Sequence, residues 1–130
     1  MRITGTFLDE ITFDIPHQNW GYPEWDHDFK AMRAMGIRRV IMIRCANGYW
    51  MTYPSEVIPR FGLRHRPPVD LMDMFLELAE KHDLEFFAGT CHGVTKNCGS
   101  AWTDEDFEQE IAFNRDIIAE IQSRYGHRKA

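Results

Sequence analysis

The feature that most restricts this chain is how its apolar strands sit between its helices. Residues 38–45 (RRVIMIRC) hold four consecutive apolar side chains, Val40 to Ile43, and residues 84–90 (LEFFAGT) are again mostly apolar. Such runs suit strands buried on both faces, as in a parallel sheet. Each is entered from an amphipathic helix after a very short link, Gly36-Ile37 or Asp83. Each is left through a long segment, and the strand-to-helix links run from about 12 to 23 residues. In parallel α/β folds, ligand sites lie beyond the C-terminal ends of the strands, and there the loops grow.

Three such units follow one another. Residues 2–8 (RITGTFL) are expected to form a strand and residues 9–22 a loop broken by Pro16 and Gly21. Residues 23–35 form a helix with Pro23 in its first turn, Asp26 and Asp28 near its positive end, and Gly36 as its stop. Trp25, Phe29, Met32 and Met35 mark its apolar face. A second loop, 46–68, carries Pro54, Pro59, Pro67 and Pro68. The helix at 69–82 that follows has Leu71, Met72, Phe75, Leu78 and Ala79 on one side. After the third strand a loop runs to about residue 102. Thr103 then caps a helix that reaches about Arg124 and stops at Gly126. Its predicted buried stripe is Phe107, Ile111, Asn114, Ile118 and Ile121, flanked by Ile117. His127 to Ala130 fall where a fourth strand would start. His27, His82 and His127 are expected to be solvated. The order β-α-β-α-β-α predicts an α/β fold with a parallel sheet and right-handed crossovers.

Composition excludes several classes. With 130 residues, 44% of them hydrophobic, the chain can bury a core and is not a disordered segment. No apolar run approaches the ~18 residues of a membrane helix. A net charge of −5 with scattered Lys and Arg argues against a nucleic-acid partner. No Gly-x-Gly-x-x-Gly follows the first strand and no P-loop occurs, so a nucleotide cofactor loses its main support and none is expected. Cys45, Cys91 and Cys98 form no disulfide framework, and free thiols suit a reducing compartment. With no signal peptide after Met1, a cytoplasmic location is the expectation.

The block Ile3-Thr4-Gly5-Thr6-Phe7-Leu8-Asp9-Glu10-Ile11-Thr12, then Asp14-Ile15-Pro16 and Gln18-Asn19-Trp20, resembles the N-terminal stretch of the DUF4434 family. Met32-Arg33-Ala34-Met35-Gly36-Ile37 into Val40-Ile41-Met42-Ile43-Arg44 looks similar to its first helix and second strand. Tyr53-Pro54-Ser55 and Asp70-Leu71-Met72-Asp73-Met74-Phe75 are similar too. The resemblance implies a glycoside-hydrolase-like (β/α)8 barrel. Such a barrel takes about 250 residues, so residues 1–130 would be a single partial domain, the first three units of eight. In many glycoside-hydrolase barrels the acid/base follows strand 4 and the nucleophile strand 7. Both would lie outside this chain, which leaves its catalytic residues unknown.

The candidate binding residues cluster at the strand ends. Asp9 and Glu10 close the first strand, where a carboxylate reads as substrate-binding. Adjacent strand residues point to opposite faces, so they are unsuited to be the carboxyl pair that flanks one glycosidic bond about 5–10 Å apart. Arg44 closes the second strand; Val40, Met42 and Arg44 alternate onto one face, expected to be the barrel interior, where Arg44 could orient Asp9 or Glu10. Trp20, Tyr49, Trp50, Tyr53 and Trp102 lie in the long loops and could stack on sugar rings, Trp20 and Trp50 foremost, although such loops also need aromatic anchors of their own. Gln18 and Asn19 could match sugar hydroxyls. Cys91, His92 and Cys98 lack the spacing of a zinc site, so no metal is expected and His92 reads as a polar contact at the mouth.

The primary expectation is therefore one wall of a carbohydrate-acting or carbohydrate-binding barrel, with a carbohydrate or small molecule as ligand and neither nucleic acid nor membrane as partner. Two alternatives remain: a non-catalytic ligand-binding barrel, and a small α/β domain that self-associates. Three parallel strands leave two open edges, which the remainder of a barrel or a second copy would cover.

Overall fold

The structure, a computed structural model, describes residues 2–11, 19–47, 50–66, 69–91 and 101–130. Its main sheet contains β1 (Gly5–Leu8), β2 (Arg39–Met42) and β6 (Glu85–Ala88) in that order, all parallel. The register sets Phe7 beside Ile41 beside Phe87, and Leu8 beside Met42 beside Ala88. Between β2 and β6 the chain adds a small second sheet, β3 (Ala46–Asn47), β4 (Trp50–Met51) and β5 (Arg64–His65), and a 3-10 turn at Ile58–Phe61. The helices are α1 (Tyr22–Met35), α2 (Leu71–His82) and α3 (Asp104–Tyr125). The β-α-β-α-β-α order expected from the sequence is present, and the 46–68 segment carries more structure than the loop expected there.

Local signals place these elements. Pro23 lies in the first turn of α1, and Gly36 caps its end at φ 94°, a left-handed conformation natural to glycine. The Asp70 side chain accepts from the Asp73 N–H at the start of α2. At α3, Thr103 and Asp106 cap each other reciprocally. Gly89 ends β6 where a Cβ would collide with the carbonyls of Met42 and Ile43. Its N–H donates to Met42 O at 2.9 Å, so the close approach serves the ladder.

One face of the sheet carries the core. Leu8, Val40, Met42 and Phe86 pack with Trp25, Phe29 and Met32 of α1 and with Leu71, Met72, Phe75 and Leu78 of α2. Phe75 is the hub: its ring meets Trp25 edge-on at 4.8 Å, stacks on Phe29 at 5.6 Å and tilts against Phe86 at 6.1 Å. The opposite face is open. Phe7 is 69% and Phe87 49% exposed, with half-buried Ile41 between them in register. β2 is thus buried on one face, not two. The face bearing Val40 and Met42 lies under the helices, so the expectation that it lines the interior is corrected.

Helix α3 differs from expectation in phase. Glu110, Phe113, Ile117 and Tyr125 are buried, whereas Phe107, Ile111 and Ile118 are more than half exposed. Polar anchors set this rotation. Tyr53 Oη, Ser55 Oγ and Glu56 N–H all donate to Glu120, at 2.8, 2.5 and 2.6 Å. Tyr125 Oη donates to Asp70 at 2.7 Å. Met35 is likewise exposed at the end of α1. His82, expected to be solvated, instead sits 2.6 Å from Asp26.

Two neighbouring residues test the phase. Ile117→Ala should cost about 2–5 kcal/mol of unfolding free energy, the range for a fully buried aliphatic side chain. Ile118→Ala should change it by less than about 0.5 kcal/mol. Denaturant titration of the two variants reads both; equal losses would refute the orientation of α3.

Candidate functional site at the strand ends

The C-terminal ends of β1, β2 and β6 converge. β1 ends at Leu8, so Asp9 and Glu10 come next; β2 ends at Met42 and releases Arg44 and Cys45; β6 ends at Ala88 and leads to Cys91. Backbone bonds hold the three exits together: Ile43 N–H donates to Leu8 O at 2.9 Å and Cys45 N–H to Thr90 O at 3.1 Å. An isolated parallel bridge joins Ala46 to Cys91. Asn114 of α3 accepts from Cys91 N–H at 3.0 Å through its side-chain oxygen.

Asp9 and Glu10 differ as alternation demands. Asp9 is half-buried and takes a hydrogen bond from Arg44 Nη2 at 3.3 Å. Glu10 is 2% exposed, and apart from its own backbone N–H neither carboxyl oxygen has a hydrogen-bond partner among the described residues. Burial pushes the Glu10 carboxyl up to about 8; the Asp9 charge adds to the rise, while its own backbone N–H and Arg44 oppose it. Near neutral pH Glu10 is therefore an uncharged acid, able to donate a hydrogen bond and unsuited to act as a nucleophile. Arg44 Nε is also buried without a partner among the described residues. Glu10 and Arg44 supply three of the four such atoms among the described residues, the fourth being His65 Nε2. Each buried orphan costs on the order of 1–3 kcal/mol, so this corner holds hydrogen-bonding capacity that the described fold does not use.

A second group forms away from that corner. Arg66 Nη2 donates to the Asn19 side-chain oxygen at 3.3 Å, and its guanidinium lies over the Trp50 ring, 5.1 Å from the centroid. Asn19 and Trp50 are thus brought together by a residue the sequence reading did not select. Its position before Pro67-Pro68, in a loop already rich in aromatics, was the available signal. Trp20 sits elsewhere, edge-on to Trp25 at 5.1 Å and packed against the core. Its exposed side lines a shallow hollow with Pro23, Glu24 and His27. Tyr53 is fully buried and bonded to Glu120, so it anchors the loop and offers no ring to a ligand. Trp102 tilts against Phe107 at 5.2 Å. Gln18, Tyr49, His92 and Cys98 lie outside the described residues. Among the described residues no three His, Cys, Asp or Glu side chains group to hold a metal, and no helix is long and apolar enough to cross a membrane.

Parallel strands interleaved with helices and a polar corner at the strand exits define an α/β protein of the class that binds ligands at that end. The chain belongs to the DUF4434 family, a domain of unknown function, whose family model matches residues 3–130. Among solved structures, one from Bacteroides thetaiotaomicron VPI-5482, described as a "putative alpha-L-fucosidase", is 47% identical with a TM-score of 0.78. The match covers 98% of this chain and 38% of that one. No curated protein matches the chain. The chain therefore shares its α/β fold with part of that structure, in line with the fold the resemblance implied.

The Glu10 assignment predicts a pH dependence. A carboxyl raised from 4.5 to about 8 in the folded state binds a proton there that the unfolded chain has lost. Stability should fall by about 1.4 kcal/mol per pH unit across that window. In Glu10→Gln this fall should vanish, so the variant gains on the parent from pH 5 to 8. Parallel stability–pH curves for the two proteins would overturn the assignment.

Proposed function

We propose that this chain supplies three consecutive βα units of a glycoside-hydrolase-like (β/α)8 barrel that binds or cleaves a carbohydrate. Its strand exits would form one wall of the cleft. The unpartnered buried atoms of Glu10 and Arg44 at those exits carry the reading. A sugar is a dense array of hydroxyls, each both donor and acceptor. A neutral carboxyl, a guanidinium and a half-buried carboxylate side by side match such an array. Asp9 and Arg44 would orient the ligand, and Glu10 would hydrogen-bond from below. Trp50, Asn19 and Trp20 would face outer parts of the ligand. Asp9 and Glu10 follow one another at the end of β1 and are unsuited to flank one glycosidic bond, so the acid and nucleophile are assigned to barrel units outside this sequence.

The sheet supports the barrel reading independently. Strands in the sequential order β1-β2-β6 with all helices on one face describe a singly wound sheet, which closes into a barrel rather than reversing at a switch point. The open row Phe7–Ile41–Phe87 would then become barrel interior. The relative described as a "putative alpha-L-fucosidase" supports a glycoside as substrate class and L-fucosides as first probes.

The test uses the polypeptide encoded by the whole reading frame that contains this sequence. Aryl α-L-fucosides head a panel of aryl glycosides, with binding of the free sugars measured alongside. Turnover is expected, and Arg44→Leu should lower kcat/KM by about 10- to 100-fold, the value of one charge-assisted hydrogen bond. Sugar binding without turnover would favour a non-catalytic barrel. Neither binding nor turnover would refute the carbohydrate reading.

A further inference from the structure

The same strand exits carry two sulfurs that the proposed function does not use. Cys45 Sγ and Cys91 Sγ are 3.5 Å apart, and both residues are buried. They leave neighbouring parallel chain segments one residue out of register, with Cys45 N–H bonded to Thr90 O and Ala46 paired with Cys91. Neighbouring strands run about 4.8 Å apart and rise about 3.3 Å per residue, so a one-residue offset sets the Cα atoms about 5.8 Å apart, within the roughly 4.4–6.8 Å that a disulfide spans. The backbone is therefore already placed for a link. Closing the sulfurs to the ~2.05 Å of a bond asks for a movement of about 1.5 Å. Among the described residues no third potential metal ligand groups with the pair. The hydrogen bond with Cys91 and burial push the Cys45 thiol up.

We propose that Cys45 and Cys91 are a peroxide-oxidisable dithiol that closes to a disulfide across the C-terminal ends of β2 and β6. The oxidant class is a small uncharged peroxide, able to enter a site where Cys91 is 6% exposed and Cys45 fully buried. Cys91 is the sulfur at the rim and is attacked first. The peroxide O–O bond breaks; one oxygen stays on Cys91 as a sulfenic acid and the other leaves as water. The Cys45 sulfur then attacks the Cys91 sulfur, the S–O bond breaks, and a second water carries away the oxygen and the Cys45 proton. In sum two thiols lose two hydrogens and one hydrogen peroxide becomes two waters. The link would clamp the strand exits that position Arg44 and Glu10, and it would be undone by a dithiol reductant. It stands apart from the carbohydrate reading and survives that reading's failure.

The test treats the chain with hydrogen peroxide, unfolds it, alkylates the remaining thiols and maps the peptides. The expected result is one cross-linked peptide pair containing Cys45 and Cys91, lighter by two hydrogens, with Cys98 alkylated. Dithiothreitol should restore all three alkylatable cysteines. The linked protein should also melt at a higher temperature than the dithiol form and return on reduction. Cys98→Ser should leave the link intact, whereas Cys45→Ser should let Cys91 proceed to higher acids. Should Cys45→Ser fail to fold, the maps of the parent chain and of Cys98→Ser decide alone. Three alkylatable cysteines after treatment, a link that uses Cys98, or a melting point that does not rise would each overturn the proposal.

Discussion

Parallel pairing of β1, β2 and β6 is the constraint on which the rest of the structure depends. A parallel strand cannot be reached by a tight turn, so the chain must return along the sheet before each new strand, and here it returns as helix. With the strands in sequential order and the helices on one side, every returning helix buries the same face. That face holds Leu8, Val40, Met42 and Phe86 against Trp25, Phe29 and Phe75. The same arithmetic leaves the other face to Phe7, Ile41 and Phe87, and it gathers every strand exit at one end. The core and the polar corner are thus two outcomes of one topology.

The chemistry at that end follows from how little water reaches it. A buried carboxyl avoids the cost of an unpaired charge by keeping its proton, and Glu10 does so. Cys45 is held protonated in the same environment. Asp9 and Arg44 lie one step further out, keep partial contact with solvent, and remain an ion pair. This end therefore combines a protonated Cys45 thiol and a neutral acid, both buried, with a half-buried salt bridge. A ligand arriving there would meet a fixed cation and anion first and a hydrogen-bond donor behind them.

Periodicity carried much of the architecture into the sequence. The stripes Trp25, Phe29, Met32 and Leu71, Met72, Phe75, Leu78, Ala79 are buried as their spacing implies. The short links at Gly36-Ile37 and Asp83 do lie between helix and strand. Three features were not legible, each for a physical reason. The orientation of α3 escaped because its apolar residues populate two faces, and tertiary polar bonds at Glu120 and Tyr125 choose between them. The side of the sheet on which Val40 and Met42 lie depends on where the helices return, which alternation cannot say. The pairing of Arg66 with Asn19 and Trp50 joins residues brought together by the small second sheet, whose two-residue strands leave no periodic trace. Asp9 and Arg44, by contrast, were readable, because a charged residue ending an apolar strand stands out against its neighbours.

Glu120 shows why a loop as long as 46–68 can serve a site. Burial pushes its carboxyl up, but the hydrogen bonds from Ser55, Glu56 and Tyr53 outweigh burial and hold it below the ordinary carboxylate value. It stays ionised through the neutral range and accepts all three bonds from one turn of the loop. Ser55 Oγ in turn accepts from the N–H groups of Val57 and Ile58, which starts the 3-10 turn. At the loop's other end, Leu71 N–H donates to Thr52 O, and Thr52 donates to Cys45 O through both its N–H and its hydroxyl. The segment that carries Trp50 and Arg66 is therefore pinned to the end of β2 on one side and to α3 on the other. A side chain on such a loop has its position set by the scaffold, which is the condition for a loop residue to recognise anything.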